Sequence, residues 1–247
     1  MKAKEKKALI LLFIFIACTT GAGFVQNKRL KVKSSVSLKS KRPRSLYLLG
    51  DSQVARTLGT AYQEAFKDDN IWVDWFGKSG ATPNDFLEDK TLLSEFDLAI
   101  KNIGCSDVIV IQLGDNGIQN SNIVKDFRAL IKNKCPNALF VWSGPMKAVH
   151  PTNGSTTYVS NDPSSPRFLT TYNKTRASWN DLILNGLTEQ DLFINNIDIQ
   201  TNQTSGAFTD NRSGDGVHLT DDSASELAQI HKSIIERFWE SYESSQS

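Results

Sequence analysis

The sequence predicts an α/β protein, a three-layer α/β/α sandwich around a mostly parallel five-stranded sheet. Two observations carry that expectation. Five short apolar runs, at Leu46–Leu49, Ile71–Phe76, Val108–Leu113, Leu139–Trp142 and Leu192–Ile197, are rich in β-branched and aromatic residues, as strands buried on both faces are. Longer stretches with helical spacing of apolar residues separate them, and that alternation is the mark of βαβ units.

Helices are expected over Val54–Lys67, Pro83–Lys101, Ile123–Lys134, Leu169–Leu187 and Asp221–Ser241. In the last, Leu227, Ile230, Ile234, Ile235 and Phe238 recur at helical spacing. Thr220 is placed to cap it, and Asp221 and Asp222 suit its positive end. Between Lys147 and Arg167 the chain turns to Pro, Ser, Thr, Asn and Gly without periodicity. A loop of that length in a compact domain is commonly a lid or substrate rim. It follows the fourth strand, which puts it on the side where α/β sheets build their sites, and Lys147, His150 and Arg167 are its candidate rim residues.

The chain has 247 residues and a formal net charge of +1, with no basic patch interleaved with aromatics in the folded part, so a nucleic-acid partner is not expected. Residues 1–25 read as an export signal: Lys2, Lys4, Lys6 and Lys7, then an apolar run from Ala8 to Cys18, then small residues. The run is short for a membrane span. Ile16-Ala17-Cys18 also fits a lipoprotein cleavage site, with Cys18 the lipidated residue; the alternative is that Cys18 is one more apolar residue of the signal. Residues 26–45 carry Lys28, Arg29, Lys31, Lys33, Lys39, Lys41, Arg42 and Arg44 with little to pack. They read as a mobile basic tether, suited to an anionic membrane or wall surface or simply solvated. One domain, 46–242, remains.

Within it, four strings fall in order: Gly50-Asp51-Ser52, Ser79-Gly80, Gly114-Asp115-Asn116 and Asp215-Gly216-Val217-His218. The first and third each follow an apolar run, so each stands where a parallel strand ends. A serine hydroxyl needs a base to take its proton, and an imidazole base needs a carboxylate to fix its tautomer. Ser52, His218 and Asp215 are the candidate nucleophile, base and acid. Fixed donors must meet the oxyanion, and the Ser52 N–H, the Gly80 N–H and the Asn116 amide are the candidates. Asp51 reads as a turn residue bonded to local backbone rather than as the acid. Of three histidines only His218 has this setting; His150 lies in the polar loop, and His231 in the last helix reads as surface or structural.

On these four blocks the chain resembles the SGNH (GDSL-type) hydrolases, named for the Ser, Gly, Asn and His that stand here as Ser52, Gly80, Asn116 and His218. The resemblance covers roughly 45–240 and implies a flavodoxin-like fold and a serine ester hydrolase with no cofactor and no metal. One departure is visible: Gly117 stands where the third block usually has Asp, as in some cell-wall O-acetyltransferase domains. The expected function is an exported serine esterase acting on short O-acyl groups, chiefly acetyl, of a small molecule, carbohydrate or wall glycan. Transfer of the acyl group to a sugar hydroxyl, or a non-catalytic glycan-binding module on the same fold, are the alternatives. A monomer is expected, with membrane or wall association only through the N-terminus. With Cys18 in the signal, Cys105 and Cys135 are left before neighbouring strands, where an oxidising compartment lets them pair.

Overall fold

The computed structural model describes residues 44–153, 158–201 and 208–246, with backbone alone at 99–103. The segments expected to be an export signal, with Cys18, and a basic tether lie outside the described residues up to residue 43. β1 (Arg44–Gly50), β2 (Ile71–Gly77), β3 (Val108–Gln112), β4 (Leu139–Ser143) and β5 (Leu192–Ile194) form one sheet in the order β2-β1-β3-β4-β5. Every pairing is parallel, with Leu48 opposite Trp75 on one side and Val110 on the other.

Because side chains alternate along a strand, a sheet covered on both faces needs apolar residues at every position. Leu46, Leu48, Val108, Val110 and Val141 face one layer, where they meet Leu58, Tyr62 and Phe66 with Leu227, Ile235 and Trp239. Those residues come from the helix after β1, a wide π-type turn at Val54–Leu58 continued as α1 (Gly59–Phe66), and from the C-terminal helix. The alternate residues Tyr47, Leu49, Ile109, Ile111, Phe140 and Trp142 face the other layer. It is built from α2 (Pro83–Glu88), α3 (Lys90–Ile103), α4 (Ser121–Lys134) and α5 (Leu169–Gly186). The indole N–H of buried Trp142 donates to Leu113 O at 2.9 Å, so the largest core side chain carries no orphaned donor.

Four boundaries differ from expectation, each for a local reason. Arg44 and Ser45 belong to β1 rather than to the tether: Arg44 donates to Glu243 at 2.7 Å and lies over the Trp239 ring. The helix expected over 83–101 breaks at Asp89 (φ −85°, ψ 105°), whose side chain accepts from Thr91 N–H. The fifth strand stops at Ile194, because Asn195 Oδ1 accepts from Ile197 and Asp198 N–H and starts α6 (Asn196–Thr201). The last helix, α7 (Asp221–Ser245), begins at the Thr220 cap as expected but runs four residues further. Cys105 and Cys135, just before β3 and β4, are joined in a disulfide with Cα atoms 5.4 Å apart.

Candidate active site

β1 runs outward to β2 on one side and to β3 on the other, so the loops after β1 and β3 flank the point where strand order reverses. Crevices for ligands open there. Ser52 stands in the first of these loops and Asn116 in the second. The turn at Ser52 is held by its neighbours: Asp51 N–H donates to Gln112 O, and Gln53 N–H to Asp51 Oδ1 at 3.0 Å. Asp51 is thus the Asx-turn residue that the sequence suggests.

Ser52 and His218 meet across 166 positions of sequence. The Ser52 hydroxyl lies 2.9 Å from His218 Nε2, and His218 Nδ1 lies 2.6 Å from Asp215 Oδ2. Asp215 fixes the loop as well as the ring, since its Oδ1 accepts from Ser213 Oγ and from the N–H groups of Val217 and His218. Partial burial alone would raise its pKa, but these bonds and the one to the imidazole outweigh it and hold the carboxyl well below the usual range. That leaves Asp215 ionised, as the acceptor for Nδ1–H. Gly216 makes the loop's tightness possible: at φ +73° a Cβ there would stand 2.4 Å from Val149 O.

Gly80 and Asn116 are exposed beside buried Ser52. Gly80 has φ +80° and nothing within 4 Å of where a Cβ would point, so its backbone is open on that side. The Asn116 amide donates to Ala81 O at 3.2 Å and toward Asp51 Oδ2 at 3.4 Å, tying together the three loops that carry Ser52, Gly80 and Asn116. Asn116 also lines a cavity of about 60 Å³, together with Thr82, Pro83, Asn84, Gly117, Gln119 and Ile123.

Sequence reading missed three features. The first is Gln53, fully buried, whose amide binds the backbone on both sides of His218. The second is a buried charge cluster: Asp51, Asp115 and Arg176 are 0, 4 and 1 % exposed. Arg176 Nη1 lies 3.6 Å from Asp115 Oδ1, and its Nη groups donate to Met146 O, Asp115 O and Tyr172 Oη. Burial and the neighbouring Asp115 push the Asp51 carboxyl up, against the pull of the Gln53 and Asp115 N–H groups and Arg176. The third is Tyr158, whose ring stands edge to face with His218, centroids 5.2 Å apart.

The rim candidates divide. The Lys147 ammonium turns to Thr201 Oγ1 at the end of α6, and the His150 ring pairs with Asn161. The loop meets the Asp215 turn through the backbone of other residues, with Val149 N–H on Gly216 O and Thr152 N–H on Gly214 O. Arg167 serves through its carbonyl, which accepts from Ser160 N–H. The loop is anchored rather than loose: Asn173 bonds both N–H and C=O of Ala148, and Ala148, Val159 and Val217 share a small core. Among the described residues no group of three or more His, Cys, Asp or Glu could hold a metal ion.

Sheet order, the site at the strand-order reversal and the sequence of the four loops define the SGNH-hydrolase fold. No model of a known protein family matches the sequence, nor does any curated protein. Among solved structures, the chain is similar to a protein of Slackia heliotrinireducens described as an SGNH hydrolase. The TM-score is 0.54 at 14 % identity, covering 76 % of this chain and 96 % of that one. It is similar also to the periplasmic domain of a lipopolysaccharide acetyltransferase from Salmonella ser. Paratyphi A, with TM-score 0.53, 16 % identity and coverage of 79 % and 85 %. A third is phospholipase A1 from Streptomyces albidoflavus NA297, with TM-score 0.51, 13 % identity and coverage of 77 % and 99 %. These likenesses establish the fold.

Proposed function

We propose that this chain is an exported serine esterase that removes short O-acyl groups, chiefly acetyl, from a carbohydrate or cell-wall glycan. The observation that carries the reading is the unbroken line Ser52 Oγ, His218 Nε2, His218 Nδ1, Asp215 Oδ2, at 2.9 and 2.6 Å. In the proposed reaction His218 Nε2 takes the Ser52 proton as Oγ bonds to the ester carbonyl carbon. The oxyanion is met by the N–H groups of Ser52 and Gly80 and by the Asn116 amide. His218 returns the proton to the alcohol oxygen as that C–O bond breaks, leaving an acyl-serine. A water, deprotonated by the same nitrogen, releases the acid and restores Ser52.

Short acyl groups are favoured by the small cavity beside Asn116. A lipase would instead bury its chain against an extended apolar wall. A glycan alcohol suits the Ser-, Thr- and Asn-rich loop packed against the Asp215 turn. Export is supported by the N-terminal lysines and apolar run and by the Cys105–Cys135 bridge, which belongs in an oxidising compartment. A second reading, transfer of the acyl group to a sugar hydroxyl, uses the same acyl-serine and is favoured by Gly117 in place of the usual Asp.

The test is a panel of acetyl, butyryl and octanoyl esters, with and without a sugar acceptor, together with labelling by an active-site serine reagent. Acetyl esters should turn over fastest, falling about tenfold per step, as extra methylenes in a confined pocket allow. Faster turnover of octanoyl esters would point to a lipid substrate. Failure of Ser52 to take the label would end the serine mechanism.

A further inference from the structure

We propose that Tyr158 is the wall of this site on the leaving-alcohol side, a ring on which a sugar of the substrate stacks; the inference rests on the esterase reading above. Its position follows from where the proton must go. His218 Nε2 has to hand its proton to the departing alcohol oxygen, so the alcohol lies on the imidazole side. The carbonyl oxygen points the other way, to Gly80 and Asn116. Tyr158 is the residue that packs on that imidazole, its ring at 83° to the His218 ring with centroids 5.2 Å apart.

The ring is held there and yet open. The next residue, Val159, is fully buried with Ala148 and Val217, and Val217 is the immediate neighbour of His218. Ser160 N–H donates to Arg167 O and Leu169 N–H to Ser160 O, which pins the following turn. Tyr158 itself is 38 % exposed, so it adds little to the core while presenting aromatic surface beside the reacting atoms. The face of an aromatic ring is electron-rich, and the C–H groups on one face of a pyranose carry partial positive charge. The two therefore stack while the sugar hydroxyls stay free for polar neighbours. A simple alkyl alcohol gains little from such a surface. Tyr158 thus selects for the alcohol half of the ester, apart from the acyl selection beside Asn116.

Two measurements test this. In Ser52→Ala protein, calorimetric titration with an O-acetylated methyl glycoside should bind about tenfold more weakly once Tyr158→Ala is added, and within about twofold of the parent with Tyr158→Phe, which keeps the ring. In active protein, the ratio of kcat/KM for that glycoside to kcat/KM for ethyl acetate should fall about tenfold in Tyr158→Ala. Undiminished glycoside binding, or an equal loss on both esters, overturns the proposal. A wild type inert on both esters would sink the esterase reading instead, and the titration would still decide the role of Tyr158.

Discussion

Gln53 grips both neighbours of His218: its Nε2 donates to Val217 O at 3.1 Å, and its Oε1 accepts from Leu219 N–H at 3.3 Å. Because Gln53 follows Ser52 directly, one buried side chain sets the distance between the candidate nucleophile and its base. In Gln53→Leu, of similar size, two buried backbone groups lose their partners and the His218 loop loses its clamp. Each orphaned group costs about 1 to 3 kcal/mol. A displacement of the order of 1 Å at the reacting groups costs about a hundredfold in rate. We expect kcat for acetyl ester hydrolysis to fall about 10- to 100-fold in folded protein, with KM little altered. Wild-type kcat in that variant would show that the loop holds His218 without Gln53.

Removal of the reacting groups separates the chemical roles. Ser52→Ala and His218→Ala should each abolish nearly all ester hydrolysis. Asn116→Ala should retain the acyl-serine route with kcat lowered about a hundredfold or more, the usual loss for one oxyanion donor. Burst kinetics distinguish the cases, since only Asn116→Ala keeps a slow acylation phase. Near-wild-type kcat in Asn116→Ala would remove its amide from the oxyanion site.

Arg176 is the one cation among the described residues that faces both buried acids, Asp51 and Asp115. Arg176→Met leaves those carboxyls buried without it, and breaking a buried pair in this way costs about 3 to 5 kcal/mol. Urea unfolding should show a loss of that size. Adding Asp115→Asn to Arg176→Met should recover part of it, because the uncompensated charge is gone. Strict additivity of the two substitutions would mean that the cluster is not electrostatically coupled.

His231 accepts from Tyr62 Oη at Nδ1 and donates from Nε2 to Asn196 Oδ1, each at 2.7 Å, so it is held neutral. Burial lowers its pKa from the ordinary 6.5 to about 3. Between those values the unfolded chain binds a proton that the folded one does not. Stability from this group is therefore full above pH 6.5 and lost as pH falls toward 3, at about 1.4 kcal/mol per pH unit. Urea midpoints at pH 7 and pH 4 should diverge more in wild type than in His231→Gln. Equal acid sensitivity in the two proteins would show that His231 is already protonated in the fold.

Much of the fold was legible because it depends on local and periodic signals. Apolar runs on alternate faces fixed the five strands in number and order along the chain, since a doubly covered sheet tolerates nothing else at Leu46–Leu49 or Val108–Ile111. Errors fell where one side chain redirects the backbone. Asn195 ends the last strand by capping α6, and Asp89 divides the helix after the second strand; Asn and Asp are equally common in plain loops, so composition carries no warning. Arg44 reads as tether in sequence because its partners, Trp239 and Glu243, lie at the other end of the chain.

For the site, the sequence by itself determined the candidate residues: Ser52, Gly80 and Asn116 in turns that follow strands, and Asp215 with His218 three residues on, just before the last helix. Turn chemistry at the strand ends, together with the short spacing of Asp215 and His218, is local enough to read. Only the tertiary structure decided that Ser52 reaches His218 across 166 positions, that buried Gln53 holds the His218 loop, and that buried Arg176 ties Asp115 to Met146. It also decided that Tyr158, not the side chains of Lys147 or His150, stands over the imidazole. A glutamine after a turn, an arginine on a helix and a tyrosine in a polar loop each have an ordinary solvent-facing reading. What assigns them otherwise is which surfaces the packed layers bring together, and packing between distant segments leaves no periodic trace in the chain.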